Sequence, residues 1–113
     1  MNNPQQTYAN NAVTTASPGE LTLMLYNGCL KFLHLAERAI SANNIAQKNT
    51  NIQKAQAIIR ELSITLKTDT EVAKNMLALY DYLYNRLMEA NIKNDPAILK
   101  EVEEFIIEFR DTW

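Results

Sequence analysis

The sequence predicts an all-α protein, an antiparallel up-down four-helix bundle with a loosely held N-terminal segment. Three observations predict it. Only two glycines (Gly19, Gly28) and three prolines (Pro4, Pro18, Pro96) occur in 113 residues, so the punctuation that strands and hairpins need is nearly absent. Apolar residues recur at helical spacing through the long segments between them. The breaks between those segments are short, which sets consecutive helices antiparallel. A chain of this length makes one domain, with residues 1–16 as a flexible or capping segment and 17–113 as the bundle.

The head, MNNPQQTYANNAVTTA, carries no charged side chain and too little apolar surface to offset its ordering entropy. Tyr8, Ala12 and Val13 still give it a weak apolar stripe, enough for docking on the body. A plain disordered tail stays open beside that reading. The first helix opens at Ser17-Pro18-Gly19-Glu20, a Ser N-cap, a Pro at the first helical position and a Glu at the third. It is expected from Pro18 to about Ala42, ending at Asn43-Asn44. The second runs from Ala46 or Lys48 to Leu66, with Ile52, Ala55, Ile59, Leu62 and Leu66 on one stripe. Thr68 and Glu71 offer a capping box to the third, which extends to about Asn91. Asp95 as N-cap and Pro96 behind it start the fourth, whose apolar rows are Ile98, Val102, Phe105, Phe109 and Leu99, Ile106, Trp113.

Two of these helices carry more apolar surface than a bundle stripe of roughly 100° requires. On the first, Leu21, Met24, Leu25, Cys29, Phe32 and Leu35 fill one side, and Leu23, Tyr26, Leu30 and Leu33 continue round the other. On the third, Val72, Met76, Leu79, Leu83 and Leu87 are flanked by Ala73, Leu77, Tyr80, Tyr84 and Met88. Two readings compete. Either these helices are sealed by several neighbours, or part of the surplus faces a partner, for which Met and Tyr suit half-wet surfaces that repack.

Charge and motifs exclude several functions. Lys+Arg 11 against Asp+Glu 13 leaves a net charge of −2, without the basic surplus a nucleic-acid grip needs. Residues 71–113 are locally acidic, chiefly through Glu101, Glu103, Glu104, Glu108 and Asp111, which reads first as a solvated helix face. Cys29 is the single cysteine, so no intrachain disulfide or zinc motif is expected, and it falls on an apolar face as a core thiol. No secretory signal and no run of the ~20 apolar residues that span a bilayer is visible; a cytoplasmic protein without membrane insertion is expected. Nucleotide, hydrolase and metalloprotease motifs are absent. His34 has Lys31 three positions before it where a di-metal bundle has Glu. A phosphotransfer role for His34 is disfavoured, since Glu37 close behind it would repel a phosphoryl group. No enzyme, cofactor or metal is expected.

Three stretches carry a family resemblance. Thr14-Thr15-Ala16-Ser17-Pro18-Gly19-Glu20-Leu21 through Leu25-Tyr26-Asn27-Gly28 is similar to the T-A-S-P-x-E-L…L-Y-x-G signature of the flagellar secretion chaperones, the FliS family. Leu79-Tyr80-Asp81-Tyr82, Arg86-Leu87, Ala90-Asn91 and Asn94-Asp95 resemble its L-Y-D-Y…R-L…A-N…N-D block, and Glu101-Val102 leads on to Trp113. Family members continue past that tryptophan, so a further stretch of chain is expected after Trp113.

The resemblance implies a cytoplasmic export chaperone that binds the disordered C-terminal region of flagellin, prevents premature polymerisation and presents it to the flagellar export gate protein. It also implies that the head folds over part of the client surface when no client is bound. On this reading the surplus arcs become groove candidates: Leu23, Tyr26, Leu30 and Leu33 on the first helix, then Leu77, Tyr80, Tyr84 and Met88 on the third. Ile64 and Ile107, off their helices' main stripes, are secondary, and Tyr8 and Val13 form the removable cap. The acidic strip of the last helix is a candidate contact for the export gate; other flagellar regulators are further possible partners. The residues alone equally allow a helical adaptor or regulator that binds another amphipathic segment.

Overall fold

A computed structural model describes residues 17–66 and 69–112; the expectations placed on the head, Tyr8 and Val13 included, and those on Thr68 and Trp113 lie outside them. Four helices follow in order: α1 Pro18–Ser41, α2 Ile45–Thr65, α3 Glu71–Lys93 and α4 Pro96–Thr112. The described residues contain no strand.

The helix ends form where local chemistry places them. Ser17 Oγ accepts from the Glu20 N–H at 3.2 Å, and Pro18 occupies the first helical position. At the end of α1, Asn43 takes the left-handed conformation at φ 57°. The Asn44 N–H then reaches back to the Ala39 carbonyl at 2.8 Å and the Asn43 N–H to Ile40 at 3.0 Å, the crossed pair of a Schellman exit. Asn44 in turn caps α2 through its side-chain oxygen and the Gln47 N–H. The α3 cap differs from expectation: Thr70 accepts from the Ala73 N–H at 3.1 Å. That leaves Glu71 in the first turn, where a negative charge complements the helix dipole. Asp95 accepts from the Ala97 N–H to begin α4.

Cross-helix bonds fix the topology. Asn27 meets Arg110, His34 meets Glu103 and Glu37 meets Lys100, so α1 and α4 run antiparallel. Lys48 reaches Asn91 while Arg60 reaches Tyr84, an antiparallel α2–α3 pair. Contacts join α1 to α2, α2 to α3, α3 to α4 and α4 back to α1. The bundle is a closed ring. Gly28 lets α1 and α2 approach closely, since a Cβ there would stand 3.3 Å from Ile58 Cδ1.

The core takes Cys29, Leu33 and Ala36 from α1, Ile52, Ala55, Ile59 and Leu62 from α2, Leu83, Leu87 and Ala90 from α3, and Leu99, Val102 and Ile106 from α4. Burial pushes the Cys29 thiol up to about 12, which makes it an inert packing group. On α3 the expected stripe is sealed at Leu83 and Leu87 and shifts only toward the N-terminal end. Ala73 and Tyr80 are buried, whereas Val72 is 74 % exposed.

Candidate functional site

Burial sorts the eight groove candidates into two sets. Tyr26, Leu30 and Leu33 on α1 and Tyr80 on α3 are all at most 5 % exposed and belong to the core. In the closed bundle these four are packed inside, although Tyr80 still floors one cleft and Leu30 lines another. The cause is the position of α1: it packs on α2 and α4 and meets α3 through Tyr26, so the centre of its apolar arc is sealed while Leu23 and Met24 stay exposed. Tyr26 and Tyr80 hydrogen-bond hydroxyl to hydroxyl at 2.7 Å, with the Phe109 ring edge-on to Tyr80 and tilted against Tyr26. Burial raises both phenols above their ordinary range. Leu23 and Met88 remain exposed, and Leu77 and Tyr84 are half-buried.

The half-buried pair lies together in a cleft between α2 and α3, about 640 Å³ in volume. Ile59 and Tyr80 contribute its buried apolar floor; Leu77, Tyr84, Arg60 and Ser63 stand among its walls. The Arg60 guanidinium sits 5.0 Å from the Tyr84 ring centroid while donating to a Tyr84 hydroxyl at 2.9 Å; the bond to that hydroxyl runs from its terminal nitrogen. Tyr84 is thereby held as a preset aromatic wall. Met88 and Ile92 follow Tyr84 at successive intervals of four along α3, 46 % and 77 % exposed, so they extend the row on one side of the helix. Tyr80 also borders a second cleft of about 310 Å³, where Leu21 and Thr22 of α1 face Leu66.

Polar bonds from α2 to α3 run alongside the apolar contacts of the core. Buried Lys48 donates from Nζ to the Asn91 carbonyl at 2.7 Å and to the Asn94 side-chain oxygen. Gln56 donates to the Tyr84 carbonyl at 3.2 Å. Side chains that bond α3 backbone carbonyls hold the helices together without covering the outer apolar row of α3. Ile92 and Arg60 were missed from sequence. The four-residue step from Met88 could have indicated Ile92, whereas nothing local marks the Arg60–Tyr84 stack.

A second, larger groove of about 1260 Å³ runs along α1 and α4, with Leu30, Leu35 and Ile107 among its lining. Ile107 is half-buried there, whereas Ile64 is 69 % exposed and borders none of the three clefts described. Between its helices His34 Nε2 lies 2.7 Å from Glu103 Oε1. Burial raises the Glu37 carboxyl, reinforced by the neighbouring Glu103. Burial also acts upward on Glu103, but its hydrogen bonds with Glu37 and His34 outweigh that and hold it below the usual range. The ligand atoms of His34, Glu37 and Glu103 lie within 4.8 Å of one another. The Lys100 ammonium, 3.4 Å from Glu37 and 3.5 Å from Glu103, already supplies a cation to both carboxylates. Two carboxylates beside the ring are also poor surroundings for a phosphoryl group.

Two residues of the acidic strip of α4, Glu101 and Glu103, are engaged within the bundle. Glu101 accepts from Arg86 at 2.6 Å and from the Tyr82 hydroxyl at 3.0 Å, and Glu103 is taken up by His34 and Lys100. Glu104 and Glu108 stay exposed. Among the described residues, no helix is long and apolar enough to cross a membrane.

Among the described residues, the open surface of this closed helical ring is a set of partly apolar grooves between neighbouring helices. The chain belongs to the FliS family: the family described as flagellar protein FliS matches residues 1–113. It is 55 % identical over 111 residues to the flagellar secretion chaperone of Bacillus subtilis strain 168, covering 98 % of this chain and 84 % of that protein. It is 34 % identical over 105 residues to the flagellar secretion chaperone of Escherichia coli K12, covering 90 % of this chain and 77 % of the relative. The Vibrio cholerae flagellar secretion chaperone is 34 % identical over 103 residues, covering 89 % and 76 %. The family is one of chaperones for flagellar secretion.

Proposed function

We propose that this protein is a cytoplasmic, non-catalytic export chaperone that binds the C-terminal segment of flagellin, keeps it from polymerising and delivers it to the export gate. The observation that carries the proposal is the α2–α3 cleft. It offers an apolar floor, a fixed aromatic wall at Tyr84 and an apolar edge at Leu77, and exposed Met88 and Ile92 continue the α3 row beyond it. An amphipathic segment that folds as it binds needs such a surface, because buried apolar area must offset an ordering cost of about 2–5 kcal/mol. Leu23, beside Met24 on the outer face of α1, is a further contact in this reading. Residues 1–16, through Tyr8 and Val13, act as the displaceable cover, and 17–113 as the working domain.

Calorimetric titration with a peptide spanning the flagellin C-terminal segment tests the proposal. Leu77→Asp and Tyr84→Asp, with helicity checked by circular dichroism, should each weaken binding at least about tenfold, the equivalent of ~1.4 kcal/mol. Unchanged affinity in both folded variants would remove the cleft from the client site. Failure of the unaltered protein to bind the peptide would reject flagellin as the client.

A further inference from the structure

The α1–α4 groove differs from the client cleft in charge, and the difference identifies a second kind of occupant. Its lining carries four permanent cations, Lys31, Arg38, Lys100 and Arg110, against the single carboxylate of Glu37. Lys100 is engaged by Glu37 and Glu103, and Arg110 by Asp111 and Asn27. Lys31 and Arg38 have no carboxylate partner among the described residues. On the opposite face Arg86 and Lys93 are both paired with acids; Lys54 and Arg60 of α2 also lack a carboxylate but lie over the Phe32 and Tyr84 rings, and Lys31 stands 5.7 Å from the Phe32 centroid.

Spacing gives the pair a ligand geometry. Lys31 and Arg38 are seven residues apart on one helix, two turns, so they project from the same side about 10.5 Å apart along the axis. Between them Leu35, with Ile107 opposite, offers half-buried apolar surface. The α1 residues of the groove run from Asn27 to Ala42, a trough of about 22 Å at 1.5 Å per residue. A straight helix of four turns fits such a trough. Its apolar stripe would cover Leu35 and Ile107, and acidic residues seven apart on its flank would meet Lys31 and Arg38.

We infer that the α1–α4 groove docks an acidic amphipathic helix of a partner protein, at a site separate from the α2–α3 cleft. The apolar floor favours a peptide over a nucleic acid, whose phosphates gain nothing from Leu35 and Ile107. The rim charges set the sign of the partner and the floor sets its stripe. Both halves of the recognition are needed, since an exposed ion pair alone contributes little.

The test uses the full chain and a synthetic 18-residue helical peptide with Leu on one stripe and Glu on its flanks. A second peptide carries Lys at every Glu position. The acidic peptide should bind and shift the amide resonances of Leu35 and Ile107 but not those of Leu77 and Tyr84; the basic one should not bind. The double variant Lys31→Glu/Arg38→Glu, whose changes lie on exposed positions, should lose at least about tenfold in affinity at low salt with its helicity intact. Its affinity for the flagellin C-terminal peptide should stay within about twofold. Equal binding of both peptides, unchanged affinity of the double variant, or resonance shifts confined to the α2–α3 cleft would each overturn the inference. So would displacement of the acidic peptide by a short single-stranded RNA, or parallel loss of flagellin binding, which would make the groove part of the client site.

Discussion

Lys48→Met is the substitution that most directly tests how α2 is attached to α3. Lys48 is 2 % exposed, and its ammonium donates to the Asn91 carbonyl and to the side chain of Asn94. Asn91 lies in the last turn of α3, where backbone carbonyls lack partners within the helix. Asn94 ends that helix in the left-handed conformation, φ 52° and ψ 44°. A buried cation therefore closes the negative end of the neighbouring helix.

Methionine keeps the unbranched stem, one atom shorter, and removes the donor. Each hydrogen bond from a charged donor contributes about 1.5–3 kcal/mol. The two bonds are not equally irreplaceable: Asn94 is exposed and its oxygen can turn to water, whereas Asn91 is half-buried. A net loss of about 2–3 kcal/mol follows, one bond in full and part of the other. For a domain of this size that lowers Tm by roughly 10–15 °C, measured by thermal denaturation monitored at 222 nm. Amide exchange at Asn94 and Asp95, whose N–H groups bond the Ala90 carbonyl, should accelerate more than exchange in α1. Asn94→Gly retains the positive φ while deleting the acceptor, and should cost well under half as much. Stability equal to or above the parent in Lys48→Met would refute the reasoning. It would mean that releasing the ammonium from burial offsets both bonds, as happens when buried ionic groups are replaced by apolar ones.

Three other outcomes follow from the same packing. Leu33→Ala, at a fully buried site, should cost about 2–5 kcal/mol in urea denaturation, while Leu23→Ala on the exposed flank should stay within about 0.5 kcal/mol. Native Cys29 should resist Ellman's reagent until the protein unfolds, because burial raises its thiol to about 12 and closes access; labelling at the rate of a free thiol would contradict the core assignment. Glu37→Gln should gain stability over the parent as pH rises above the ordinary carboxyl range near about 4.3 and match it below. The raised Glu37 carboxyl binds its proton more tightly in the folded state, so its contribution is full at low pH and lost as it ionises. A constant Tm difference across pH 3–7 would contradict that sign.

Local chemistry made much of the fold legible. Ser17-Pro18 and Asp95-Pro96 mark helix starts because a cap and its proline act within a single turn, and both stand where the sequence placed them. The stripe Ile52, Ala55, Ile59, Leu62 is buried as expected, since α2 is narrow enough to have one apolar side. On α1 and α3 the pattern was too wide to decide. Periodicity marks an apolar arc but says nothing of how neighbouring helices are rotated against it. Tyr26, Leu30 and Leu33 went to the core, and on α3 the expected stripe holds at Leu83 and Leu87 while its N-terminal end shifts by one residue, with Ala73 inside and Val72 outside. Lys48 was unreadable for a related reason. A lysine is buried only when helix-end acceptors await it, and here they lie 43 and 46 residues further on.

A ring of four helices must join every neighbouring pair, yet the pairs are not joined by the same chemistry. The α1 helix meets α2 at Gly28 and Cys29, where close approach is dry, with Ile58 and the Ala55 carbonyl opposite. The α2 helix meets α3 through Lys48, Gln56 and Arg60, which bond carbonyls, an amide oxygen and a phenol. Such bonds hold two helices in register without consuming apolar side chains, so Leu77, Tyr84, Met88 and Ile92 are left at or near the surface. A second helix pair is joined by polar contacts as well, α1 to α4 through His34, Glu37, Asn27 and their partners, and it carries the other groove. The α3–α4 pair is polar too, with Arg86 and Tyr82 on Glu101, yet none of the three clefts lies between those helices, so polar joints spare apolar side chains without by themselves making a groove.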